Sequence, residues 1–175
     1  DEHGMKNDPR NYLFESYVKI LNAIRPKFFV FENVTGLLTA RLKGKRHIFT
    51  VLGELGKEYK VYNGNPSDMV FNTVNYGVPQ IRKRVIILGV RKDIDLEPAD
   101  LYKGIVKTNW DSDMSESERK GLQPPVTVRD AIGDLPPVPN GGGSNMMEFK
   151  PKAMNSFVQK IRSKDDETLL YHVTR

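Results

Sequence analysis

The chain has 175 residues, 38% hydrophobic and 9% aromatic, enough for one ordinary core, and it holds no cysteine. That excludes disulfides, thiolate metal sites and any cysteine nucleophile of its own. The net charge of +5 is uneven: residues 1–92 carry 16 Lys/Arg against 8 Asp/Glu, whereas residues 93–175 carry 11 against 14. The first half is therefore the candidate for a polyanionic partner, although charge alone reads first as a solvated basic face. His3, His47 and His172 show no metal-ligand spacing, and no metal is expected. No apolar run approaches the length of a membrane span, and the N-terminal DEHGMKNDPR lacks a signal-peptide pattern.

In chain order, Leu13, Phe14, Tyr17, Val18, Leu21 and Ile24 recur at spacings of one, three and four, which predicts a helix with these residues on one face. Asp8-Pro9 suits its entry and Arg25-Pro26 its exit, because the residue before proline is pushed out of the α region. Phe28 to Phe31 is an unbroken apolar run of strand length and suits a strand covered on both faces, as in a parallel sheet. Helix, tight connection and buried strand together predict an α/β doubly wound sheet. A second helix is read from Ile48, Val51, Leu52 and Leu55, stopped by Gly56. Extended stretches follow at Tyr59–Tyr62, Met69–Val74 and Val85–Val90, the last two suited to antiparallel pairing.

Beyond Arg91 the sequence is charged, poor in aliphatic residues and broken by prolines as far as residue 125, which predicts an excursion over the surface. Thr127-x-x-Asp130 has a capping-box pattern opening a short helix, closed by Pro136-Pro137. Asn140 to Ser144 reads as a flexible linker, and Pro151 starts a last amphipathic helix with Met154, Phe157, Val158 and Ile161 on one face. Domain boundaries are expected near residue 92 and at the glycine run.

Two constellations carry chemistry. Glu32 and Asn33 end the apolar strand, and the carboxyl ends of strands form the ligand crevice in open α/β sheets, although many strands end in a polar cap with no such duty. In Tyr76-Gly77-Val78-Pro79-Gln80-Ile81-Arg82-Lys83-Arg84 an extended chain would project Gln80, Arg82 and Arg84 to one side. Such a row of donors suits a phosphate or a base carbonyl, and Arg84 could pair with a carboxylate such as Glu32. An edge strand guarded by charge fits the same pattern equally well.

PKFFVFENVTGLL resembles the Glu-Asn-Val segment of the DNA (cytosine-5) methyltransferases, and NYGVPQIRKRVIILG resembles their Gln-x-Arg-x-Arg segment. DPRNYLFESYVKIL is similar to the helix before that strand, and TVRDAIGDLPPV to the stretch leading into their target-recognition region. The resemblance covers most of residues 8–140, in the family's order. It implies a fold that is the C-terminal half of a doubly wound, Rossmann-like methyltransferase sheet in residues 1–92. Residues 93–175 would then hold a connecting excursion and the start of the target-recognition region. It also implies methyl transfer from S-adenosylmethionine to C5 of a cytosine flipped out of duplex DNA, in a bacterial restriction-modification setting and hence in the cytoplasm. By the same resemblance Glu32 protonates the base at N3 from the buried strand end, and Asn33 helps fix the catalytic loop. Arg84 binds near O2 and steadies Glu32, Arg82 meets the adjacent phosphate or the developing charge as a third catalytic residue, Gln80 is a scaffold contact, and Leu13 lines the cofactor pocket.

The family's glycine-rich cofactor loop, Pro-Cys nucleophile loop and final Asn-Val motif have no counterpart in these residues, and the sequence starts just after the place of the Pro-Cys loop. The chain is therefore expected to be a piece of a larger enzyme, inactive alone. Two other readings stay open. One is a cytosine-5 methyltransferase acting on RNA of the transfer-RNA type; the other is a non-catalytic nucleic-acid-binding subunit that completes a partner's site.

Overall fold

The computed structural model describes residues 13–42, 44–142, 147–148, 155–161 and 171–172. The chain divides into two compact units, Asp1–Asn72 with Arg82–Val106, and Thr73–Ile81 with Lys107–Arg175.

In the first unit, helix α1 (Leu13–Ile24) buries Phe14 and Leu21, with Tyr17 and Val18 packed against the same core. The buried stripe is narrower than the periodicity predicts. Leu13 and Ile24 are 64% and 69% exposed, because they sit in the end turns of a helix whose middle covers the core. The Asp8-Pro9 entry lies outside the described residues. The exit follows from the proline: Arg25 takes φ 51°, its N–H bonds the Leu21 carbonyl at 2.8 Å, and the chain leaves through Pro26.

Strand β1 (Phe28–Val34) comes next, followed by a single turn, α2 (Gly36–Thr39), that buries Leu37. A short hairpin of β2 (Arg41–Leu42) and β3 (Lys45–Arg46) leads into helix α3 (His47–Leu55), which buries Ile48, Val51 and Leu55 and ends at Gly56 as its spacing predicts. Burying each of these three apolar side chains is worth about 2 kcal/mol.

Strands β4 (Tyr59–Val61), β5 (Val70–Asn72) and β6 (Lys83–Arg91) complete the sheet. β6 is its axis. β1 runs along one side of it from Phe28↔Val90 to Val34↔Arg84, while β4 joins its C-terminal end and β5 its N-terminal end, all antiparallel. The α/β expectation and the antiparallel partnership of the last two stretches are both met. Two-sided burial of the Phe28–Phe31 run is not met by the described residues. Phe29 and Phe31 face the core with α1 and α3, but Phe28 and Val30 are 48% and 61% exposed and β1 lies at the sheet edge. An unbroken apolar run signals that both faces favour cover, not what supplies it. On the covered face the Phe29 ring lies across Gly89, where any side chain would collide with it, and meets Tyr59 edge-on at a centroid distance of 5.1 Å.

On the side away from β1, between β4 and β5, β6 has no strand partner among the described residues, and Tyr102 fills that gap. Helix α4 (Pro98–Lys103) presents it so that its hydroxyl accepts from the Leu88 N–H at 2.9 Å and donates to the Ile86 carbonyl at 2.8 Å, replacing one rung of the ladder. Its ring stacks on Phe71 and tilts against Tyr62. Burial pushes the Tyr102 phenol above its ordinary value, against the opposing effect of the Leu88 hydrogen bond. It therefore keeps its proton at neutral pH. The predicted excursion beyond Arg91 thus returns to the sheet within one short helix.

In the second unit, the turn Thr73–Tyr76 buries Asn75. The Asn75 carboxamide donates to the Asn109 carbonyl at 3.2 Å and the Asp111 carboxylate at 3.0 Å, and the Asn75 backbone carbonyl accepts from the Thr108 and Asn109 N–H groups. Helix α5 (Glu116–Arg119) follows, and then α6 (Val128–Ile132), which opens on the predicted Thr127/Asp130 capping box. It stops at Gly133, before Pro136-Pro137 is reached, because the glycine N–H already closes on Arg129. β7 (Met147–Glu148) pairs with β8 (Tyr171–His172), and helix α7 (Ser156–Ile161) buries Val158. Met154, the predicted helix start at Pro151 and the end of the glycine run fall outside the described residues.

Tyr102→Phe should lower unfolding stability by about 1–3 kcal/mol, because it leaves a strand N–H and a carbonyl without their partner while keeping the ring. Urea denaturation of the two proteins checks this; an unchanged midpoint would mean that the hydroxyl contributes nothing net.

Candidate active site

The register of β1 on β6 builds the candidate site. Side chains alternate across a strand, so Glu32 shares the open face with Phe28, Val30 and Val34, and on β6 the same face carries Arg84 and Ile86. Glu32 lies directly opposite Ile86, and Arg84 opposite Val34, which sets the two charged residues on a diagonal within reach of long side chains. Arg84 Nε donates to Glu32 Oε1 at 2.8 Å, and its Nη1 donates to the Lys83 carbonyl at 2.8 Å. The guanidinium is held at two points, with the Arg84 side chain 20% exposed.

Glu32 itself is 53% exposed. The buried strand end expected for it is thus not supplied by the described residues: the same face is covered at Leu88 and Val90 of β6 but left open at Val30, Glu32 and Val34. An ion pair this accessible to water contributes little to stability, and its fixed geometry needs another account.

The other expected residues are more dispersed. Asn33 turns back on its own strand, its Oδ1 accepting from the Val34 N–H at 2.8 Å. Arg82 is exposed and precedes β6, which starts at Lys83. Gln80 lies in a bend, not in an extended strand, so the single row of Gln80, Arg82 and Arg84 does not form. The Gln80 carbonyl accepts from the Thr73 hydroxyl at 2.6 Å and its N–H bonds the Val78 carbonyl at 2.7 Å, which closes that bend. Val78-Pro79 interrupts the extended chain there, a signal present in the sequence. Leu13 offers one exposed apolar side chain at the start of α1.

Asn75 and Tyr102 were not singled out by sequence reasoning, because a polar side chain in a mixed segment carries no periodic signal. Among the described residues there is no group of three or more His, Cys, Asp and Glu that could hold a metal, and no helix long and apolar enough to cross a membrane.

A carboxyl and a guanidinium held side by side present a hydrogen-bond acceptor or acid next to a fixed cation, which matches the adjacent ring nitrogen and carbonyl of a pyrimidine.

Residues 2–169 match the family described as C-5 cytosine-specific DNA methylase. Type II methyltransferase M.DdeI of Desulfomicrobium norvegicum is 30% identical over 157 residues, which are 90% of this chain and 34% of that protein. M.Bpa9945I of Bacillus paralicheniformis is 36% identical over 82% of this chain and 29% of its own length, and M.BsuRI of Bacillus subtilis 37% identical over 74% and 26%. The chain thus spans about a third or less of the relatives it matches. Among solved structures, one described as a DNA modification methyltransferase encoded within an E. coli prophage superposes with a TM-score of 0.57 at 23% identity, over 87% of this chain and 39% of that one. That likeness is one of fold.

Because the Glu32–Arg84 pair is so exposed, Glu32→Gln should shift unfolding stability by no more than about 1 kcal/mol. Chemical denaturation reads this directly, and a loss of several kcal/mol would make the pair a structural element.

Proposed function

This chain belongs to the C-5 cytosine-specific DNA methylase family, and from that premise we propose that it forms the base-binding part of an enzyme that methylates cytosine in duplex DNA. The chemistry is addition of a cysteine thiolate to C6, which makes C5 nucleophilic, followed by methylation at C5 and loss of the C5 proton as the thiolate leaves. S-adenosylmethionine supplies the methyl group. Leu13 is the one described residue assigned to the cofactor, and a single exposed leucine can offer it no more than an apolar contact.

Glu32 and Arg84 have the central roles. Cytosine resists attack at C6 until N3 is protonated or strongly hydrogen-bonded, and the Glu32 carboxyl is the group that holds the proton there. Arg84 meets the O2 region, where negative charge gathers, and aligns Glu32. Arg82, outside the strand and exposed, meets the adjacent phosphate, while Asn33 and the Gln80 bend are supporting contacts. The observation that carries this reading is the 2.8 Å pair between Glu32 and Arg84 at the carboxyl end of β1.

The 175 residues contain no cysteine, so the thiolate comes from outside them, on the same polypeptide or on another. The exposed Phe28, Val30 and Val34 beside Glu32 are the apolar surface that such a segment would cover, and its arrival would bury the carboxyl where the proton is needed. The relatives named above are Type II methyltransferases, which supports a bacterial restriction-modification setting in the cytoplasm, with residues beyond Arg91 leading into the part that reads sequence.

Three outcomes test this. The 175-residue chain alone should form no covalent complex with 5-fluorocytosine DNA in a denaturing gel, whereas the enzyme with its cysteine-bearing segment should. In that complete enzyme Glu32→Gln should cut single-turnover methylation by about 10²-fold or more with DNA affinity little changed, since Gln can hydrogen-bond N3 but not protonate it; near-normal turnover would remove Glu32 from the acid role. Arg82→Ala should flatten the salt dependence of DNA binding by about one phosphate contact, and Arg84→Ala should instead slow the chemical step. The reverse pattern would exchange their roles.

A further inference from the structure

We infer that the hairpin of β2 and β3, through Arg41, Lys45 and Arg46, is a contact surface for the phosphate backbone of duplex DNA. The inference rests on the reading of the chain as part of a DNA methyltransferase. From Asn33 to Gly53 the sequence holds no acidic residue, yet four cations, Arg41, Lys43, Lys45 and Arg46, fall within six positions. The hairpin is a defined element. Its base is closed by the His47 N–H on the Ala40 carbonyl at 2.8 Å, its rungs are Arg41↔Arg46 and Leu42↔Lys45, and Gly44 at φ 80° makes the turn that a residue with a side chain would resist.

Three features of this hairpin point to an anionic partner, the first two because they oppose folding in isolation. Arg41 and Arg46 are directly opposite each other, a cross-strand placement in which like charges repel. Arg46 also occupies the N-cap of α3, where its side chain makes no capping bond and its charge opposes the helix dipole, with no acid in the first turn to offset it. Finally, Arg41, Lys45 and Arg46 are exposed and take part in no ion pair among the described residues. Elsewhere in this unit several cations are matched: Arg25 with Glu58, Lys57 with Glu54, Lys60 with Glu97 and Arg91 with Asp93. A polyanion relieves the two penalties and meets the cations that have no ion pair.

Its placement fits the task. The hairpin follows the C-terminal end of β1 after the single turn α2, and so leaves the sheet at the end where β1 finishes beyond Glu32 and β6 begins with Arg84. A duplex whose flipped base reached Glu32 would bring its flanking phosphates past this point, and cations there would add affinity without reading sequence.

The test compares two triple variants of the complete enzyme, with affinity for a mixed-sequence duplex and for a target duplex measured across salt concentration. Arg41→Gln, Lys45→Gln and Arg46→Gln together should reduce the slope of log affinity against log salt by about 2–3, since each phosphate contact contributes about 0.9, and equally for both duplexes. A control removes the same charge elsewhere in the unit, through Lys57→Gln, Lys92→Gln and Lys103→Gln, and should leave the slope as it was. Circular dichroism and thermal melting establish that both variants are folded, and the milder Arg41→Lys, Arg46→Lys pair should keep the parent slope. An unchanged slope in the hairpin variant, an equal fall in the control, or an effect on a structured RNA but not on DNA would each overturn the inference. Failure of the parent enzyme to bind duplex DNA would instead overturn the functional reading beneath it.

Discussion

The register between β1 and β6 is the constraint on which the rest of this structure depends. Seven residue pairs, from Phe28↔Val90 to Val34↔Arg84, set Phe29 and Phe31 into the core and leave Glu32 on the other face beside Arg84. A slip of one residue would move every side chain of β1 to the opposite face, burying the carboxylate among α1 and α3 and expelling two phenylalanines. The Phe29 ring over Gly89 and the edge-on contacts of Phe29 and Phe31 with Tyr17 admit one register, so core packing is also what positions the acid. Stability and chemistry are coupled here through the pleat of a single strand.

The same strand pair separates two electrostatic environments. Where β6 ends, Arg91 is bound by Asp93, whose carboxyl that guanidinium holds below its ordinary value, and Arg25 faces Glu58. Where β6 begins, Arg84 has the one described carboxylate partner, Glu32, and Arg82 stands exposed in front of it. Exposed cations without acids nearby keep their field in the surrounding water, and that field reaches about 8–10 Å at ordinary ionic strength. The imbalance between the two ends is therefore a better guide to the face that meets a polyanion than the net charge of +5.

Tyr102 shows how the unit keeps its central strand intact where one of its two sides has no strand among the described residues. One hydroxyl serves both a donor and an acceptor of the β6 backbone, and its ring closes over Phe71 and Tyr62. A segment that reads as irregular surface chain thereby becomes part of the sheet's hydrogen bonding, at a cost of ordering only the short helix α4.

The sequence by itself determined the local features, each written in neighbouring residues. The period of α1 with its stop at Arg25-Pro26, the Gly56 end of α3, the Thr127/Asp130 capping box and the polar Glu32-Asn33 end of an apolar strand all depend on contacts within a few positions. The absence of cysteine and the family resemblance are likewise properties of the chain as written. Only the tertiary structure decided which apolar residues are covered, leaving Leu13, Ile24, Phe28 and Val30 in solvent, because periodicity specifies a face and not what lies against it. It alone brought Glu32 to Arg84 and set Tyr102 in the gap of β6. These are pairings between distant parts of the chain, and no window along it contains both partners.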